Sequence, residues 1–88
     1  MTLQDSAEMT ERVARALRRA TGRITIVKRT PTGKLRLEVP GVGYFRTCNI
    51  YKHGTWTFYE AGGGEVSRVE TMADCLQIIR ETARAKRI

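Results

Sequence analysis

Tyr44-Phe45-Arg46-Thr47-Cys48-Asn49-Ile50-Tyr51-Lys52-His53-Gly54-Thr55-Trp56-Thr57-Phe58-Tyr59-Glu60 holds every aromatic residue of this 88-residue chain. β-Branched and aromatic residues on either side of a glycine-bearing turn are the local signature of a β-hairpin, because such side chains pack well on a pleated surface. Taking Lys52-His53-Gly54 as a three-residue loop, with Gly54 at the left-handed position, opposes Ile50 to Trp56 and Cys48 to Phe58. That register places Tyr44, Arg46, Cys48, Ile50, Trp56 and Phe58 on one face. Phe45, Thr47, Asn49, Tyr51, Thr57 and Tyr59 fall on the other.

Upstream of the hairpin, Arg23 to Arg29 and Lys34 to Val39 alternate around Thr30-Pro31-Thr32-Gly33. A one-residue slip turns a whole strand over, so register is chosen by which pairing brings apolar residues together. A four-residue loop pairs Ile26 with Leu37 and Ile24 with Val39, giving a core face of Ile24, Ile26, Leu35, Leu37 and Val39. Pro40-Gly41 then turns the chain into the third strand, with Val39 opposite Val42. These registers align Lys28, Leu35, Arg46 and Glu60 in one row on the inner face, where an Arg46–Glu60 pair requires good hydrogen bonding or an uncovered edge.

The flanks read as helices. From Ser6 to Ala20 the residues Met9, Val13, Ala16, Leu17 and Ala20 form one apolar stripe, Glu8 and Arg12 are spaced for an i, i+4 pair, and Gly22 supplies a C-terminal cap. After the Ala61-Gly62-Gly63-Gly64 connection, Thr71 and Asp74 form a capping box that opens a second helix with Met72, Cys75, Leu76, Ile79 and Ala83 buried. The order is helix, four antiparallel strands, helix. It implies a single α+β domain over residues 1–88, with 1–5 and 85–88 frayed: a two-layer structure in which a four-stranded antiparallel meander carries both terminal helices on one face. The opposite face is left to solvent.

A chain this short buries only about 60–65% of its extended surface, so its core is one layer thick and leaves no room for a catalytic domain plus a regulatory one. In outline the order resembles double-stranded-RNA-binding domains. Those domains have three strands and a basic cluster opening the second helix, where this sequence has Glu70, Thr71 and Asp74, so no function is carried over.

Sixteen Lys and Arg against nine Asp and Glu give a net charge of +7, carried mainly by arginine. This favours nucleic acid or an acidic protein as partner. Two cysteines and one histidine cannot supply a structural zinc site. Both cysteines read as reduced core residues. The Gly62-Gly63-Gly64 run lacks the Gly-Lys-Ser/Thr ending of a phosphate loop and reads as a linker. No nucleophile–base pair or catalytic carboxylate pair is spaced for chemistry, which points to a non-enzymatic protein without metal or cofactor. No apolar run is long enough to span a membrane, and the N-terminal segment lacks the layout of a signal peptide, so a cytoplasmic location is expected.

Three surfaces are candidates for function. Phe45, Tyr51 and Tyr59, flanked by Arg29, Lys34, Arg36 and Lys52, would offer rings for stacking bases and cations for phosphates. Arg12, Arg15 and Arg19 on the first helix and Arg80, Arg84 and Arg87 on the second would form a basic ridge. The competing reading is a protein-interaction or inhibitor module, such as a phage or mobile element encodes, docking an acidic partner through the sheet face or hairpin tip. A homodimer joined through the sheet faces is compatible with either.

Overall fold

The computed structural model describes residues 7–47, 56–64 and 66–87. Its elements run α1 (Ala7–Thr21), β1 (Ile26–Arg29), β2 (Leu35–Val39), β3 (Gly43–Arg46), β4 (Trp56–Glu60), β5 (Val66–Val69) and α2 (Met72–Lys86). The strands form one antiparallel meander in sequence order, β1-β2-β3-β4-β5, with both helices packed on one face. The α+β class and the helix placement agree with the sequence reading. The strand count does not: the described residues form five strands, not four.

The added strand is β5. Its apolar residues, Val66 and Val69, are three apart and so fall on opposite faces of a strand: Val66 is exposed and Val69 buried. A four-residue segment without two-residue alternation gives no strand signal next to a glycine run.

Three ladders differ from the expected registers, each by an odd number of residues. In β1–β2 the loop is Pro31-Thr32-Gly33, closed by the Thr30 amide donating to the Lys34 carbonyl at 2.7 Å and by Gly33 at φ +83. This is the three-residue hairpin loop whose last position must be left-handed, and it pairs Val27, not Ile26, with Leu37. β1 is therefore turned over. Ile24 and Ile26 are exposed at 68% and 37%, while Thr25 is buried and Val27 packs against the core.

Between β2 and β3 the Val42 amide donates to the Val39 carbonyl at 3.0 Å, closing a turn with Pro40 and a left-handed Gly41. The ladder itself pairs Val39 with Gly43, so Val42 is an extra residue, buried, whose carbonyl accepts from Ala61. The insertion turns β3 over as well. Phe45 and Thr47 face the helices and are fully buried, whereas Tyr44 and Arg46 face away. The β3–β4 ladder is shifted by three, pairing Phe45 with Phe58 and Arg46 with Thr57. Trp56 and Phe58 are accordingly core residues, as expected. The expected row of Lys28, Leu35, Arg46 and Glu60 does not form: Glu60 lies on the helix side and pairs with Lys86 of α2 at 3.4 Å.

The core joins Val13, Ala14 and Leu17 of α1 and Cys75, Ile79 and Ala83 of α2 to Leu37, Phe45, Trp56, Phe58 and Val69 of the sheet. On α1 the buried stripe is Thr10, Val13, Ala14 and Leu17, rotated from the expected one; Ala20 is exposed. The α2 cap is as expected: Thr71 Oγ1 accepts from the Asp74 amide at 3.2 Å, and the Asp74 carboxylate accepts from the Thr71 amide at 3.1 Å. α2 continues through Lys86 and ends on a left-handed Arg87. No described helix is long and apolar enough to cross a membrane.

Candidate nucleic-acid interface

The face of the sheet away from the helices consists of two cross-strand rows. One runs Ile26, Glu38, Tyr44, Tyr59, Val66, and the next runs Lys28, Arg36, Arg46, Thr57, Arg68. At roughly 4.8 Å per strand each row spans about 19 Å. The second row is cationic at every strand but β4, and the only carboxylate in either row is Glu38.

Tyr44 and Tyr59 are directly opposite on β3 and β4, and their rings stack with centroids 5.0 Å apart and planes 13° from parallel. The Arg36 guanidinium lies over the Tyr44 ring at 3.9 Å, and that of Arg46 lies 5.8 Å from the Tyr59 centroid. Arg46 Nη1 also donates to the Tyr59 hydroxyl at 3.4 Å. The rings thus hold the guanidiniums by cation–π attraction, restricting side chains that otherwise lose much rotamer entropy on binding. Glu38 sits between two cations, 3.1 Å from Lys28 Nζ and 3.5 Å from Arg36 Nη1. Lys28 is more than half exposed and Arg36 and Glu38 are partly exposed, so solvent screens these contacts and they contribute modestly.

Of the residues singled out from the sequence, Arg36 and Tyr59 lie on this face. Phe45 does not; it is in the core, so its assignment to the binding surface is withdrawn. Arg29 lies on the helix-facing side of β1 at its exposed end, donating to the Gly33 carbonyl at 3.0 Å, and Lys34 is exposed beside the β1–β2 turn. Tyr51 and Lys52, with Cys48, Ile50 and His53, lie outside the described residues. Arg12, Arg15, Arg19, Arg80, Arg84 and Arg87 are exposed on the helix layer, on the opposite side of the molecule from the two rows. Arg12 pairs with Glu8 at 3.4 Å.

The residues that sequence reasoning missed are Tyr44, Arg46, Lys28 and Arg68. The first two were hidden by the one-residue insertion at Val42, and Lys28 by the length of the loop before β2. The signal for Lys28 was present in Pro31-Thr32-Gly33, which fits a three-residue loop with a left-handed glycine as well as a longer one. Arg68 became visible only with β5.

Among the described residues no cluster of His, Cys, Asp or Glu can hold a metal ion. The Cys75 thiol is buried, and burial, with the neighbouring Asp74 carboxylate, pushes its pKa up to about 12. The residue is part of the buried core cluster.

Comparisons with family models, with curated proteins and with solved structures find no match to this chain. Geometry alone carries the functional reading.

Proposed function

We propose that this is a small, basic, non-enzymatic binding domain that takes single-stranded nucleic acid across its open sheet face. One observation supports it above the others: a cationic row of Lys28, Arg36, Arg46 and Arg68 running beside a stacked tyrosine pair. A polynucleotide laid across the strands meets a cation at four of the five strands, while the tyrosine edges and hydroxyls offer contacts to bases and sugars without sequence preference. An open five-stranded face offers a surface to a single strand, whereas a duplex groove admits one helix or a two-stranded ribbon.

Titration of a fluorescent oligothymidine at low salt, followed by anisotropy, tests this reading. Four phosphate contacts give a slope of log K against log salt near −3, at about −0.7 per contact on single strands. Binding no tighter than tens of micromolar at low salt contradicts it.

A second reading has its own support. Ile26 and Val66 are 37% and 56% exposed at opposite ends of the same row, as at the rim of a protein-docking surface. A nuclease-resistant, stoichiometric protein partner recovered by pull-down, with no oligonucleotide binding, would favour an acidic protein over nucleic acid.

A further inference from the structure

Bordering the second row, a cleft of ≈ 310 Å³ opens at the end of the sheet, lined by Thr30, Thr32, Lys34, Leu35, Arg36 and Arg46. Three of those six side chains are cationic, two carry hydroxyls and none is acidic. The β1–β2 turn builds one wall. Thr30 Oγ1 accepts from the Lys34 amide at 3.1 Å and lies 3.0 Å from Thr32 Oγ1, so the hydroxyls and the root of Lys34 are held together. Arg36 and Arg46, an adjacent pair on β2 and β3, build the other wall and are each braced against a tyrosine ring.

We infer that this cleft is a phosphate-binding subsite that takes the terminal phosphomonoester of a bound polynucleotide. The inference rests on the nucleic-acid reading for its ligand, whereas the cleft and its charge stand independently of it. An internal phosphodiester carries one charge and runs on along the sheet. A terminal monoester carries about −1.5 to −2 at neutral pH and has three oxygens free, which matches a concave site lined by three cationic side chains and two hydroxyls. The two rows lie on the open face, and a diester suits them. The cleft is where a chain end gains most.

The test compares oligothymidines bearing a 5′-phosphate, a 3′-phosphate or neither, bound to the full chain at fixed salt. One terminal phosphate should tighten binding about tenfold, the scale of an added charge-assisted hydrogen-bonding site. Lys34→Ala or Thr32→Val should bring the ratio of phosphorylated to unphosphorylated affinity close to one. Lys28→Ala, which removes the same charge outside the cleft, should weaken both ligands alike and leave the ratio near ten.

Equal affinities for all three ligands on the unmodified protein overturn the subsite and leave the sheet-face reading standing. Should no oligonucleotide bind, amide shifts on titration with inorganic phosphate decide: saturable changes confined to Thr32, Lys34 and Arg46 support the subsite, and diffuse, linear changes refute it.

Discussion

Tyr44 and Phe45 are neighbours on β3 with opposite fates. Phe45 is fully buried against Trp56 and Phe58, with ring centroids 6.3 and 4.9 Å away, beneath the helix layer. Tyr44 stands on the open face between Tyr59 and Arg36. One aromatic serves stability and the other positions charge. Which is which depends on a single extra residue, Val42, because side chains alternate with a period of two.

Phe45→Ala should separate the two faces most sharply. It leaves a cavity at the centre of a small core and should cost about 3–5 kcal/mol in denaturant unfolding, enough to threaten the fold. Tyr44→Ala should cost no more than about 1 kcal/mol, the scale of cross-strand pairs. Equal losses at the two positions would break the comparison.

Gly43 links the faces at the start of β3. A Cβ there would meet the Tyr59 carbonyl oxygen and the Phe58 ring, 2.6 Å from its Cζ. Gly43→Ala should therefore destabilise by about 1–3 kcal/mol, as overpacking does. Gly62, whose Cβ would meet nothing within 4 Å, supplies the contrast, since Gly62→Ala meets only the strain of its positive φ of 87°.

On the open face the losses should appear in binding instead. Arg36→Ala should weaken oligothymidine about tenfold and reduce the salt slope by about 0.7, while shifting stability much less than Phe45→Ala does.

The smallest effects lie at the α2 cap, on the helix side. Thr71→Ala removes the side-chain acceptor for the Asp74 amide and should cost about 1 kcal/mol. The Asp74 carboxyl is held below its usual pKa, first by the Glu70 amide, then by the Thr71 amide and hydroxyl, against a raising contribution from desolvation. A carboxyl pKa lowered by folding stabilises above the unfolded value near 3.8, and that contribution is lost as pH falls through the lower folded value. An acid titration of unfolding should show the loss below about pH 4, and Asp74→Asn should remove this component.

The capping box, the apolar stripe of α2 and the meander of short turns were legible in the sequence, because each depends on local spacing. Trp56 and Phe58 were legible as core for the same reason. The facing of β1 and β3 was not, since it depends on how many residues each turn consumes. Thr30 to Lys34 and Val39 to Gly43 each admit two counts that differ by one. Choosing the count by apolar pairing favoured Ile24 and Ile26 for the core over Thr25 and Val27, a preference that the geometry of Gly33 overrules. The open face was thus read with Arg36 and Tyr59 in place but with Phe45 in the position that Tyr44 occupies.

The central claim is that the open sheet face, not the helix layer, receives nucleic acid. Amide chemical-shift mapping during titration with a short oligothymidine at low salt tests it most directly. The account predicts saturable shifts at Arg36, Tyr44, Arg46, Tyr59 and Arg68, with Arg12, Arg15, Arg80 and Arg84 unmoved. Shifts concentrated on α1 and α2 with the sheet face silent would contradict it.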